Sequence, residues 1–133
     1  MPDAGGGRLV RDVVLAYAAA WAAGDREAWL DTFAEDATQE DPIGDGVRRG
    51  RDEIGAFWDA AMSGYRSLAI EPRDVFVVDA GREAAMVWTI TGVSGDGSLV
   101  TFDGVDVFTF APDGRIASVR AYWDRARRQV TPG

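Results

Sequence analysis

The sequence predicts an α+β domain in which three N-terminal helices pack on one face of a curved antiparallel or mixed sheet. Up to Met62 the apolar residues recur with the period of an amphipathic helix, and beyond it they alternate with the period of a strand. Glycine-containing turns separate the alternating segments, as in consecutive hairpins. Because 133 residues support one hydrophobic core, we expect a single domain over 1–133, ordered over about 8–125.

Three helices are predicted from the apolar period and from residues that begin or end helices. The first runs from Leu9, after a short flexible leader closed by Gly5–Gly7, and stops at Gly24. Asp25 is a natural N-cap for the second helix, and the third begins at about Arg51. Their apolar positions, in chain order, are Val10, Val13, Val14, Tyr17, Ala20 and Trp21; Ala28, Trp29, Leu30 and Phe33; and Ile54, Phe57, Trp58, Ala61 and Met62.

Alternation and turn residues define the predicted strands. Residues 37–41 form a short extended piece that ends at Pro42. The long strands are predicted at 67–78, 83–94, 99–111 and 115–124. Their hairpin turns are predicted at Ala80-Gly81, Gly95-Asp96-Gly97 and Asp113-Gly114. We expect the arginine-bearing segment 125–133 to be a solvated tail.

The composition argues against several kinds of chemistry and partner. The chain has no histidine, cysteine or lysine, so acid–base chemistry falls to carboxylates or tyrosines, and thiol chemistry is excluded. A net charge of −8 argues against nucleic acid or an anionic membrane surface as a partner. Neither a signal peptide nor 18 consecutive apolar residues are visible, so we expect a cytoplasmic protein.

Asp106 interrupts an otherwise apolar strand face. By strict alternation, the other residues of that face are Val100, Phe102, Gly104, Phe108 and Phe110. A charged carboxylate in such surroundings is costly unless it is paired. Asp106 is therefore expected either to keep its proton and act as a hydrogen-bond donor, or to pair with Arg120 on a neighbouring strand.

Tyr17 lies in the middle of the apolar stripe of the first helix, so its hydroxyl needs a partner in the core. A backbone carbonyl is the common partner of a buried tyrosine. Together with a protonated Asp106, Tyr17 would instead provide two donors that converge on one acceptor in a dry site, as an oxyanion hole requires.

An acidic corner, TQEDPIGDG, places Glu40, Asp41 and Asp45 around one turn. It could be a metal cradle, a solvated loop or the site of a catalytic base. Its spacing lacks the order of a calcium-binding loop. Pro42 restricts the backbone beside Asp41, so a carboxylate here can be aimed at an apolar cavity, although periodicity does not choose between Glu40 and Asp41.

Two stretches resemble the bacterial ketosteroid isomerases of the NTF2-like superfamily, over about residues 10–125. The first, YAAAWAAGDREAWLDTFAEDATQEDPIG, has the family's tyrosine, AGD helix break, F-A-x-D-A-T run and EDPxG corner in the same order. The second, GVDVFTFAPDGRIASVRAYW, has its aspartate ahead of a Phe-containing strand and a Gly turn. The resemblance implies an NTF2-like, SnoaL-like cone-shaped roll that forms a homodimer through the outer face of its sheet.

The resemblance also implies a reaction and a site for a small hydrophobic substrate. The reaction is the conversion of 3-oxo-Δ5-steroids into 3-oxo-Δ4-steroids through a dienolate, with neither a cofactor nor a metal. Asp41 matches the family's general base and Tyr17 its oxyanion-hole tyrosine. Asp106 matches the protonated aspartic acid beside that tyrosine, a feature for which this family is itself the known example. The residues at or near steroid-pocket positions are Phe33, Trp58, Trp88, Phe102, Val119 and Trp123.

Phe33 and Trp58 also stand where some members of the family have tyrosines that hydrogen-bond the catalytic tyrosine. Two alternative functions remain open. One is a polyketide cyclase or epoxide hydrolase of the same superfamily, although the Arg and Asp constellation of the hydrolase cannot be located in the sequence. The other is a non-catalytic module that binds a hydrophobic ligand, against which the intact Asp41 argues.

Overall fold

The structure is a computed structural model that describes residues 4–78 and 81–133. Its helices are α1 (Ala4–Ala23), α2 (Arg26–Asp31) and α3 (Gly50–Ser63). Its strands are β1 (Phe33–Glu40), β2 (Val47–Arg49), β3 (Tyr65–Val77), β4 (Glu83–Ser94), β5 (Leu99–Phe110), β6 (Ile116–Tyr122) and β7 (Gln129–Thr131). A short 3-10 helix spans Arg125–Arg127. The first residues of the predicted leader, 1–3, and Ala80 of the predicted hairpin turn lie outside the described residues.

The strands form one mixed sheet in the order β2-β1-β6-β5-β4-β3, and β7 pairs with β5 off this path. The antiparallel run from β3 to β6 confirms the predicted hairpins. β1 pairs with β6 in parallel, so the acidic corner that follows β1 lies beside β6. The backbone N–H of Ile43 donates to the carbonyl of Ala121 at 2.9 Å, which attaches this corner to the sheet.

The boundary between α1 and α2 lies where local chemistry predicts it. The Asp25 carboxylate caps α2 by accepting a backbone N–H of the first turn at 3.0 Å, and Gly24 ends α1 with a φ of +66°. The predicted start at Leu9 is wrong, because α1 already begins at Ala4 and includes Gly5–Gly7. A glycine costs a helix only about 1 kcal/mol, which a long helix can tolerate. No helix within 4–78 and 81–133 is long and apolar enough to cross a membrane.

The short strands differ most from the prediction. Phe33 was expected on the second helix but opens β1, because α2 ends in a turn where the Thr32 hydroxyl donates to the Trp29 carbonyl at 2.6 Å. β1 is therefore longer than the predicted 37–41, and β2 was not predicted at all. The segment 125–133 is exposed, as predicted, but residues 129–131 also pair with β5 as an additional short strand.

The inner face of β5 has the predicted alternation. Phe108 and Phe110 are buried there together with Asp106. A Cβ at Gly104 would overlap the Trp88 ring, so glycine is needed at this position for the ring to lie over β5. The sheet thus places a large indole ring and a carboxyl side by side on the face that packs on the helices.

Candidate active site

A cavity of about 200 Å³ has walls from α1, α3 and the inner face of the sheet. Its polar groups belong to Tyr17, Asp41, Tyr65, Asp106 and Arg128. The apolar residues that line it are Trp21, Phe57, Ala61, Leu68, Ile70, Trp88, Ile90, Phe102 and Trp123. An apolar cavity with a few polar groups is the common form of a small-molecule site. Tyr17, Asp41 and Asp106, which lie far apart in the sequence, all reach it.

Asp106 is buried in the cavity wall, with 2% of its surface exposed. Its neighbours across the β4 and β6 pairings carry no charge, and its Oδ1 has no hydrogen-bond partner among the described residues. Burial, and then the nearby charge of Asp41, raise the pKa of Asp106 well above its usual range. The Trp88 and Tyr17 side chains oppose this shift but do not cancel it. The surroundings therefore favour the protonated acid.

The alternative pairing of Asp106 with Arg120 is wrong. Alternation along β6 places Ala121, not Arg120, opposite Asp106. Arg120 lies on the other face of the sheet, where its Nε is 3.5 Å from Oε1 of Glu40. No arginine in the described part of the chain makes a salt bridge with Asp106.

Tyr17 projects from α1 into the core and is 2% exposed. Its ring packs edge-on against Phe108, with centroids 5.2 Å apart, and against Phe33 at 5.9 Å. Burial, then the charges of Asp106 and Asp41, raise the pKa of Tyr17 well above its usual range. Its hydroxyl thus keeps its proton and can donate a hydrogen bond into the cavity.

Asp41 directly follows β1, and its peptide bond to Pro42 is cis. The indole N–H of Trp123 donates to Oδ1 of Asp41 at 2.7 Å and so orients the carboxylate. Burial raises the pKa of Asp41, while the Trp123 hydrogen bond and the charge of Arg48 act in the opposite direction. A half-buried carboxylate of raised pKa in an apolar cavity can accept a proton from a bound ligand.

The other two acids of the corner bind parts of the protein itself. Glu40 accepts a hydrogen bond from the Gly44 N–H at 3.0 Å and lies within salt-bridge distance of Arg120. Asp45 pairs with Arg125 at 2.7 Å. No group of three or more acidic side chains within residues 4–78 and 81–133 could hold a metal ion. Of the three acids of the corner, only Asp41 lines the cavity.

Three of the six expected pocket residues, Trp88, Phe102 and Trp123, line the cavity. The structure places the other three in the core behind it. Phe33 packs against Tyr17, and Trp58 stacks on Trp21 with centroids 3.9 Å apart. Val119 is 2% exposed and lies opposite Phe108 in the β5–β6 pairing. From these positions they can support the side chains that line the cavity, but they do not line it themselves.

Sequence reasoning missed several lining residues. Trp21, Phe57 and Ala61 were recognised on helix stripes, but the same stripes also fill the core, so the period alone could not assign them to a cavity. Tyr65 and Arg128 gave no signal, because each reaches the cavity only through the way its strand or tail pairs with the sheet.

Residues 14–119 match the SnoaL-like domain family. The chain belongs to this family. Within it, the steroid Delta-isomerase of Nocardioides simplex is 35% identical over 123 residues, which cover 92% of this chain and 96% of that relative. The resemblance to the ketosteroid isomerases is thereby confirmed.

Two solved structures share the SnoaL-like fold of this chain. The Δ5-3-ketosteroid isomerase of a Mycobacterium species has a TM-score of 0.83 at 26% identity, covering 92% of this chain and 98% of that one. SalBIII, an epoxide hydrolase/cyclase-like enzyme of pyran ring formation in the polyether salinomycin, has a TM-score of 0.82 at 26% identity, covering 95% and 97%. The NTF2-like α+β class with a mixed sheet is confirmed, but the fold carries more than one chemistry, so function must be argued from the site.

Proposed function

We propose that the protein is a steroid Δ-isomerase that converts 3-oxo-Δ5-steroids into 3-oxo-Δ4-steroids without a cofactor. One observation carries this proposal: a single apolar cavity holds an oriented carboxylate, Asp41, together with two buried groups that favour their protonated forms, Tyr17 and Asp106. The homologous steroid Delta-isomerase supports the same reaction.

In the proposed reaction Asp41 is the general base and later the acid. Its carboxylate removes a proton from C4 of the substrate, and the electrons of that C–H bond form a dienolate with its charge on the C3 oxygen. Tyr17 and Asp106 donate hydrogen bonds to this oxygen, which stabilises charge that develops only in the transition state and intermediate. The Asp41 acid then returns the proton to C6, which leaves a conjugated Δ4 double bond and restores the carboxylate.

The surroundings of each group suit these roles. A raised pKa makes Asp41 a stronger base, and the Trp123 N–H keeps the carboxylate in one orientation. Oδ1 of Asp106 has no hydrogen-bond partner among the described residues. The protonated acid, which its surroundings favour, is therefore free to donate a hydrogen bond to a substrate in this dry site.

Turnover of a 3-oxo-Δ5-steroid tests this proposal. The product contains a conjugated enone that absorbs in the ultraviolet where the substrate does not. We expect the absorbance to rise at a rate proportional to enzyme concentration, with no cofactor added. A rate equal to that of buffer alone would contradict the proposal.

An epoxide hydrolase or cyclase is the second candidate, and the similarity to SalBIII favours it. Hydrolysis of this type needs an arginine beside the acid that handles the water. The positive charge of Arg48 acts to lower the pKa of Asp41. Its guanidinium, however, lies 4.7 Å from the centroid of the Phe57 ring, and Arg48 does not line the cavity. Formation of a diol from an epoxide, without enone formation from a Δ5-steroid, would favour this second candidate.

We also propose that the protein forms a homodimer through the outer face of its sheet. Val87 and Val105 pair across β4 and β5 on this face, and Val107 continues the apolar strip. Phe76 and Tyr122, on either side of them, are 58% and 47% exposed. An apolar strip of this kind commonly marks a contact surface.

A further inference from the structure

Arg128 stands out in the cavity lining because it is the basic side chain among apolar and acidic ones. β7 pairs with β5 up to Gln129 opposite Thr101, which brings the preceding residue, Arg128, next to Phe102. Its guanidinium lies 5.9 Å from the centroid of the Phe102 ring, and its Nη2 is 3.5 Å from the Tyr65 hydroxyl. The side chain is exposed, so it lies where the cavity meets solvent.

An apolar wall connects this arginine with the acid at the other side of the cavity. The Phe102 ring contacts that of Trp88, with centroids 5.7 Å apart, and the Trp88 side chain in turn faces the Asp106 carboxyl. A rigid ligand whose oxygen is held by Asp106 and Tyr17 would therefore extend along Trp88 and Phe102 towards the guanidinium. Its far end would leave the apolar part of the cavity beside a cation.

The charge of Arg128 is available for a ligand. No carboxylate within residues 4–78 and 81–133 lies within salt-bridge distance of it, whereas Arg125, nearby in the chain, is paired with Asp45. The chain as a whole carries a net charge of −8 and so repels anions. Any preference for an anionic ligand must then come from a local cation.

We propose that Arg128 selects substrates with an anionic group, such as a sulfate or carboxylate, at the end remote from the reacting carbonyl. The guanidinium is suited to such a group, since its N–H donors match two oxygens of a sulfate or carboxylate. This inference rests on the proposed function, because that function places the steroid carbonyl at Tyr17 and Asp106 and so directs the other end towards Arg128. It adds a substrate class, since the apolar lining by itself would favour neutral steroids.

Binding of a matched pair of ligands tests the inference without turnover. The pair is a 17β-hydroxy-Δ4-3-oxo steroid and its 17β-sulfate ester, titrated into wild type, Arg128→Gln and Arg127→Gln while tryptophan fluorescence is followed. Arg127 is the control, because it is also exposed and loses the same charge but does not line the cavity. Both substitutions are at exposed positions, and circular dichroism verifies that the variants are folded.

We expect wild type and Arg127→Gln to bind the sulfate about 3- to 10-fold more tightly than the neutral steroid at low salt, with the ratio falling as salt is added. In Arg128→Gln the ratio should fall to about one. The inference is overturned if wild type does not prefer the sulfate, or if Arg128→Gln keeps the preference. A protein that shows the preference but no enone formation would refute the proposed reaction alone.

Discussion

At the scale of single residues, Asp41 and Asp106 show how one side-chain type can meet different surroundings in one cavity. Burial raises the pKa of Asp41, while the Trp123 N–H and the charge of Arg48 oppose this rise by favouring the ionised form. Asp106 has no salt-bridge partner among the described residues, is nearly fully buried and experiences the charge of Asp41. Because both groups are acids of the same intrinsic strength, the difference comes from their surroundings.

The Trp123 hydrogen bond should set the pH at which the base becomes active. In Trp123→Phe the charged form of Asp41 loses a donor at 2.7 Å, so the pKa of Asp41 should rise and the acidic limb of kcat/KM should move up by about one pH unit. Trp21→Phe is the control, because it removes an indole N–H that makes no hydrogen bond to any described residue. Identical acidic limbs for wild type and Trp123→Phe would show that this bond does not tune the base.

Protonation of Asp106 should link folding to pH. Its pKa is raised in the folded protein above the value of about 3.9 in the unfolded chain, so the folded state binds more protons between these two values. The free energy of unfolding should therefore fall as pH rises above about 4, by at most about 1.4 kcal/mol per pH unit from this group. Urea denaturation from pH 4 to 8 measures how the free energy of unfolding changes with pH. Asp106→Asn should remove the contribution of Asp106 to this slope and leave the contribution of Asp41. Parallel slopes for the two proteins would mean that Asp106 is ionised when folded.

At the scale of elements, β5 was the most predictable part of the molecule. Its alternation identified the buried face and the acid within it, because a strand of this length repeats the same signal several times. The β4 bounds agreed with the prediction for the same reason. Asp25 and Gly24 marked the helix boundary, because their effects on the backbone are local.

Features that depend on tertiary pairing were not predictable from these patterns. β2 and β7 have three residues each, too few for a period to appear. Phe33 could continue a helix stripe or open a strand. It opens β1 because α2 ends at the C-cap residue Thr32. The choice of Asp41 over Glu40 likewise depends on the parallel pairing of β1 with β6, which determines which acid reaches the cavity. Of the polar residues that line the cavity, Tyr17, Asp41 and Asp106 were therefore predicted through the family resemblance, whereas Tyr65 and Arg128 were not. The apolar walls were predicted only in part.

Gly104 should be intolerant of a side chain, because β5 must admit the Trp88 ring at this point. In Gly104→Ala the added methyl group would overlap that ring, and we expect a loss of about 1 to 3 kcal/mol in the free energy of unfolding. Gly95→Ala is the control, because a Cβ there meets no atom within 4 Å, and its effect should stay within about 0.5 kcal/mol. Equal effects of the two substitutions would show that the ring can move aside without cost.

At the scale of the whole molecule, the proposed dimer gives the exposed sheet face a partner. Sedimentation equilibrium at micromolar concentration should give twice the monomer mass of 14.3 kDa. Phe76→Glu, on the apolar strip, should shift the protein towards monomer, because dimerisation would bury the new charge. Leu15→Glu, which changes a residue on α1 that is 40% exposed, should remain a dimer. A wild-type mass equal to that of the monomer at all concentrations would contradict the proposed dimer.

The most direct test of the whole account is the turnover of a 3-oxo-Δ5-steroid by Asp41→Asn beside Glu40→Gln. Asparagine keeps the shape of Asp41 and can still meet Trp123, but it cannot accept the C4 proton. We expect kcat to fall by about 10²- to 10⁴-fold while binding of a Δ4-3-oxo product steroid survives. Glu40→Gln should stay close to wild type, because Glu40 contacts Gly44 and Arg120 rather than the cavity. Near-normal turnover by Asp41→Asn, or loss of turnover in Glu40→Gln alone, would contradict the assignment of the base and the mechanism built on it.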